Sequence, residues 1–234
     1  MGAGLMPAAL LELQSLSLER GGREVVHALS GTVTRGTLTA VVGPNGAGKS
    51  TLVEALAGHR SPCGGRIAHA AGLRLAHLPQ QSALDRSFPI RVGDVVALGA
   101  WSRIGLWKAL GGGLRREVDA ALETVGLAGC ARRPISDLSV GQFQRVLFAR
   151  LLLQDADLIL LDEPFNAVDE ATTADLLALV RRWRDQGRAV IAVLHDQARV
   201  RAHADRLLSL DGRGGWTWGD TAELLDASAA SCLA

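Results

Sequence analysis

The chain has 234 residues, of which 48% are hydrophobic, enough for one large domain or a core carrying an inserted subdomain. Its net charge is +1 and no basic block occurs, so nothing points to a nucleic-acid partner. Cys63, Cys130 and Cys232 lie far apart, and the histidines are scattered without HExxH spacing; this reads as free thiols in a reducing compartment with no evident metal-ligand cluster.

Along the chain, Met1–Leu13 lacks the charged start and long apolar stretch of a signal peptide, and no run is long enough to span a bilayer. The chain is therefore expected to be soluble and to reach a membrane only through a partner. Alternation over Leu10–Leu18 predicts a strand, a GGR turn follows, and EVVHAL predicts a second strand. Leu38–Val42 is an apolar run fit for a buried strand, and a helix is expected over Lys49–Ala57. Short strands are expected near Arg66–Ala70 and Arg74–Leu78. From about Ser87 to Leu153 the patterns are helical, broken by the glycines at 111–113 and by Pro134. Strands are predicted again at Asp157–Leu161, Ala189–Leu194, Arg206–Leu210 and Gly215–Trp218, with helices at Ala171–Arg184 and near Gln197–Ala202. Strands alternating with helices predict an α/β core with a largely parallel sheet.

Between the expected strand ending at Val42 and the following helix stands GPNGAGKST, residues 43–51. It fits GxxxxGK[ST] in the strand–loop–helix setting that motif needs. Gly43, Gly46 and Gly48 allow the loop that also holds Pro44, Asn45 and Ala47 to curl so that several backbone N–H groups, Pro44 having none to give, face a phosphate, at a helix start that adds partial positive charge. Lys49 is placed to reach the β- and γ-phosphates, Ser50 to offer a hydroxyl to Mg²⁺, and Thr51 completes the stretch. Of the 25 Lys and Arg residues only Lys49 and Lys108 are lysine, so a compact ammonium at 49 stands out against a composition that prefers arginine.

DLILLDE, residues 157–163, is an apolar strand ending in two acids. In an open α/β sheet ligands lie beyond the carboxyl ends of strands. Asp162 would stand beside the phosphates as a Mg²⁺ holder, and Glu163 would orient or deprotonate an attacking water. Taken alone, the pair could be surface acids after a core strand. With the phosphate loop upstream it reads as an NTPase, still open between kinase, GTPase, helicase and transporter ATPase.

LSVGQFQR, residues 138–145, narrows the class. Ser139 and Gln142 have the S-x-x-Q spacing of a capping box, Gly141 allows close approach, and the residues after it continue a helix. The stretch resembles the LSGGQ signature of ABC-type ATPases. Other family elements fall in order: Gln80 in HLPQ resembles the Q-loop glutamine, Asp162 and Glu163 the Walker B acids, FNAVD at 165–169 the D-loop, and His195 in VLHD the switch histidine. The likeness runs from Leu10 to about Leu225.

That resemblance implies a P-loop NTPase fold of the ABC type: a RecA-like parallel-sheet core at about 8–86 and 155–225, an antiparallel β subdomain at its N-terminal end, and a helical signature subdomain at about 87–154. It implies ATP and Mg²⁺, held by the 43–51 loop with Asp162, Ser50 and Gln80, and catalysis by Glu163, His195, Gln80 and Lys49. It also implies that Ser139, Gly141 and Gln142 bind the γ-phosphate of ATP held by a second subunit, with Asp169 linking the two in a head-to-tail dimer. Val140 departs from the family by replacing the first signature glycine. Arg20 stands where an aromatic residue would stack on adenine, and a guanidinium can also stack on a base. The stretches FPIRVGDVV and EPFNAVDEATT resemble the zinc and manganese importer branch, and the region up to VLHD an AztA-like zinc group. An integral membrane permease and an external metal-binding protein are the partners this implies, with the chain peripheral on the cytoplasmic face. Phe88, Ile90, Trp101, Ile104 and Trp107 are candidates for an apolar surface facing the permease. Another substrate, or a soluble role such as iron–sulfur assembly, remains the alternative.

Overall fold

The computed structural model describes residues 9–80, 86, 88–104 and 112–231; Trp107 and Cys232 lie outside them, as does the side chain of Ile104. The chain begins with strands β1 (Ala9–Arg20) and β2 (Arg23–Thr34), then β3 (Leu38–Val42) and helix α1 (Lys49–Leu56). Strands β4 (Gly64–His69) and β5 (Leu75–Leu78) follow. Next come helices α2 (Val92–Ala97), α3 (Trp101–Ile104), α4 (Gly112–Thr124) and α5 (Val140–Gln154). The last part holds β6 (Leu158–Leu161), α6 (Glu170–Asp185), β7 (Ala189–Val193), α7 (Gln197–His203), β8 (Arg206–Leu210), β9 (Trp216–Asp220) and α8 (Thr221–Ser231).

These strands form a three-stranded antiparallel sheet, β2-β1-β4, and a six-stranded sheet, β5-β6-β7-β3-β8-β9. All pairings in the larger sheet are parallel except β8 with β9. Strand periodicity splits its side chains between two cores. Leu38, Ala40, Ile159, Leu161, Val190 and Ala192 face the helices α2, α4, α5 and α6. Val41, Leu158, Leu160, Ile191 and Val193 face α1 and the antiparallel sheet. This is why the central strands read as continuous apolar runs: both faces are covered.

Among the described residues, the stretch between β5 and β6 carries helices and no strand, as the sequence pattern predicts. Its α5 packs through Phe148, whose ring stacks on Trp183 of α6 with centroids 5.7 Å apart. Both rings are fully buried, and truncating a ring in such a core costs about 3–5 kcal/mol. Arg150, also on α5, donates to the backbone carbonyl of His77 at 3.2 Å and ties the helical layer to β5.

The fold is an α/β sandwich with an antiparallel β subdomain, as expected, and it differs from the sequence reading in local ways. β1 and β2 run beyond the predicted strands, and inside them Ser15 and Ala28 adopt positive φ and the ladder shifts register. Such irregularities hide the period of two that marks a strand. Two of the glycines expected to break the helical region instead open α4. The C-terminal helix α8 was not foreseen: TAELLDASAAS has little amphipathic pattern, yet Leu224 and Leu225 pack against the core.

Candidate functional site

The neighbouring strands β5, β6, β7 and β3 run parallel, so their carboxyl ends open onto one edge of the sheet. Beyond that edge follow, in the same order, Gln80, the pair Asp162 and Glu163, His195, and the loop from Gly43. Chain positions far apart are thereby laid side by side.

In the loop, Pro44, Asn45 and Gly46 form an exposed rim, while Ala47, Gly48 and Lys49 are buried beneath it. Gly48 has φ +97 and precedes the first residue of α1. A Cβ there would come within 2.9 Å of Val25 Cγ2, so only glycine fits both the conformation and the space. Lys49 Nζ donates to the carbonyls of Gly43 and Pro44, each at 2.9 Å. Burial lowers its pKa, against the opposing charges of Glu163 and Asp162. Ser50 is half-buried and hydrogen-bonds the Asp162 carboxylate. The Thr51 side chain is wholly buried in α1, so its approach to a ligand would be through its backbone.

Asp162 is buried, and burial raises its pKa, with the nearby Glu163 charge adding to the rise and the Ser50 hydrogen bond opposing it. Its Oδ1 has no hydrogen-bond partner. A buried carboxylate oxygen without a donor is a ligand position suited to a hard cation. Glu163 stands at the centre of a network. Gln80 Nε2 donates to its Oε2 at 2.8 Å, and His195 Nε2 lies 2.8 Å from its Oε1. The Asn166 amide also bonds Oε2. Glu163 has φ +50, a left-handed conformation that costs a non-glycine residue about 1–3 kcal/mol and concentrates at functional sites. Asn166 was not singled out from the sequence; its place three residues after the acid, in the turn that follows the strand, was the available signal.

Ser139 caps α5. Its Oγ accepts from the Gln142 backbone N–H at 3.1 Å, and the Gln142 side chain accepts from the Ser139 N–H at 3.2 Å. The capping box expected from S-x-x-Q is thus formed. Gly141 lies against the segment after Glu163: a Cβ there would be 3.3 Å from Asp169 Oδ2. Asp169 itself caps α6, accepting from the Thr172 N–H at 2.8 Å. Val140 is the first residue of α5, so its backbone is helical and its side chain points to solvent at 37% exposure. A β-branched residue is tolerated in that conformation. Val140→Gly is therefore expected to change the ATPase rate less than about twofold, since no left-handed turn is needed there. Rates of parent and variant measured side by side check this.

Arg20 ends β1 opposite Arg23, exposed at the tip of the hairpin whose Val25 covers Gly48. Phe88 and Trp101 are exposed, at 63% and 59%, as is Leu98, which sequence reasoning did not select. Ile90 instead packs against the core.

A glycine-rich loop at a helix start, a buried lysine on it and paired acids on the adjoining strand ends are the arrangement of a P-loop nucleotide hydrolase. The sequence pattern of the family described as ABC transporter matches residues 26–166. The zinc import ATP-binding protein ZnuC of Brucella abortus is 37% identical over 90% of this chain and 67% of its own length. The manganese transport system ATP-binding protein MntB of Listeria monocytogenes is 36% identical over 86% of each. A solved structure of a metal-chelate type ABC transporter, inward-facing, superposes with a TM-score of 0.84 at 28% identity, over 93% of this chain and 86% of that one. The chain belongs to the ABC transporter family, and it is an ATP-binding and ATP-hydrolysing subunit.

Proposed function

We propose that this chain powers import of a divalent metal ion, zinc first and manganese second, through a separate membrane permease. The hydrolytic part rests on one observation above all: Glu163 is fixed by Gln80 and His195 at the same sheet edge as the Lys49 loop. The metal part rests on relatives described as zinc and manganese transport ATP-binding proteins, alike over most of the chain.

In this reading the N–H groups of residues 43–51 cradle the phosphates of ATP. Lys49 turns its ammonium from the carbonyls of Gly43 and Pro44 to the β- and γ-phosphates. Ser50, Asp162 Oδ1 and Gln80 would hold Mg²⁺, which when bound neutralises charge on the phosphate oxygens. Glu163 takes a proton from water as that oxygen attacks the γ-phosphorus, while Gln80 and His195 orient the carboxylate. ADP leaves as the bond from the γ-phosphorus to the bridging oxygen breaks. Ser139, Gly141 and Gln142 at the start of α5 bind the γ-phosphate of ATP held by a second copy, and Asp169 lies beside that contact. In the same reading the exposed guanidinium of Arg20 would stack on the adenine. A homodimer closes on two ATPs and reopens after hydrolysis, and the permease follows that motion. Phe88, Leu98 and Trp101 are exposed where an apolar partner helix could rest. Among the described residues no helix is long and apolar enough to cross a membrane, which fits a subunit held at the cytoplasmic face by its permease. An external metal-binding protein would deliver the ion.

The test is twofold. The chain should co-purify with an integral membrane permease, and cells lacking it should lose zinc or manganese content. Unchanged content of both metals would sink the metal assignment and leave the ATPase. Co-purification with a soluble assembly alone would favour the non-transport alternative.

A further inference from the structure

The mechanism above leaves Gln144 without a task. It lies on α5, buried, and its Nε2 donates to the backbone carbonyl of Pro164 at 2.6 Å. Pro164 follows Glu163 directly. A proline disfavours the right-handed helical region for the residue before it, and Glu163 sits instead at φ +50. Such a conformation persists only where the surroundings hold it. On one side the hold comes from Asn166, whose backbone N–H donates to the Glu163 carbonyl at 3.3 Å and whose amide bonds the carboxylate. On the other it comes from Gln144.

The same helix touches this segment again. Gly141 lies against Asp169, and Gln144, three residues on, shares its side of α5. Two contacts, Gly141 with Asp169 and Gln144 with Pro164, bracket the stretch that starts at Glu163. The start of α5, capped by Ser139, is the helix end proposed above to bind a phosphate. One rigid helix thus joins the proposed clamp for a neighbour's ATP to the carboxylate that works on the chain's own ATP.

We infer that Gln144 is a positioning residue that fixes Glu163 to α5, so that closure of α5 on the partner's ATP sets the catalytic carboxylate of its own chain. This rests on the ATPase reading given above. Gln144 touches no substrate. It acts through the Pro164 carbonyl, and its loss frees the Glu163 backbone while leaving the phosphate loop intact.

The experiment uses the purified chain in complex with its permease, with ATP as the probe. In Gln144→Met, which keeps the volume and removes the donor, kcat per bound nucleotide should fall about tenfold or more, since small misplacement of a catalytic group is costly. KM for ATP should stay within about twofold, because the loop is untouched. Gln144→Met placed on a Glu163→Gln background should still close into an ATP-dependent dimer, which a merely misfolded chain would not. A kcat per bound nucleotide within about twofold of the parent overturns the inference. So does a drop in bound nucleotide large enough to account for the whole loss. Should the methionine variant fail to fold, Gln144→Asn decides on the same criteria: it keeps the amide but is a methylene too short to reach Pro164. A parent complex that does not hydrolyse ATP fails the functional reading itself, and the inference with it; an active parent with an unaltered variant fails the inference alone.

Discussion

Glu163→Gln should lower ATP turnover about a thousandfold while leaving ATP-dependent dimerisation intact. An amide has no basic oxygen to take a proton from water, yet it keeps the volume and an oxygen that accepts a hydrogen bond. With the amide oxygen in the place of Oε2, Gln80 can still donate to it, and the NH2 in the place of Oε1 can donate to His195 Nε2 of a neutral imidazole, so the side chain keeps its position. Stability should not suffer. Removing the Glu163 charge relieves buried Asp162, whose pKa it raises, and gives up its attraction for the buried Lys49 ammonium, so the two changes oppose each other. The melting temperature is expected to change little. Turnover by phosphate release, and mass by light scattering with and without ATP, check both halves. A chain that stays monomeric at saturating ATP with its permease present would count strongly against the closed-dimer mechanism.

Lys49→Ala should weaken ATP binding on the order of a hundredfold, about 2.7 kcal/mol, and reduce turnover to background. The ammonium has two roles in this structure. It bridges the carbonyls of Gly43 and Pro44, and it supplies the positive charge facing Asp162 and Glu163. Alanine removes both, and the two acids then repel the incoming phosphates without compensation. Lys49→Arg is expected not to restore affinity. The site is buried and holds a point charge between two carbonyls, and a planar fork needs more room and a different donor geometry. Titration with a fluorescent nucleotide reads the affinities directly. If Lys49→Arg binds ATP within a fewfold of the parent, the argument for a compact ammonium in an arginine-rich chain fails.

Much of this was legible in the sequence because the relevant signals are local. β3 and β8 fall where their apolar runs predict, since a buried parallel strand is marked by composition over a few residues. Ser139 and Gln142 form their capping box because both partners lie within one helical turn. Signals carried by contacts between distant segments were weaker. The bulges at Ser15 and Ala28 and the docking of α8 depend on what lies opposite them, which no local window contains. Ile90 has the same apolar character as Phe88, yet one packs inward and the other stands in solvent; the supporting layer beneath decides that.

The sequence by itself determined the class of chemistry. A GxxxxGK[ST] loop between a strand and a helix reads as a phosphate holder, and an apolar strand ending in two acids places charge at a sheet edge. It also put Val140 in question without answering it. Only the tertiary structure decided how these parts meet. The order β5-β6-β7-β3 brings Gln80 and His195 onto the two oxygens of Glu163, and that order is a property of strand pairing, not of spacing along the chain. The helical start of α5 disposed of the missing glycine, because the backbone there never enters the region that a glycine would serve. The hold of Gln144 on Pro164 likewise exists only once α5 lies against the segment after β6, where packing brings a buried donor to a carbonyl twenty residues away.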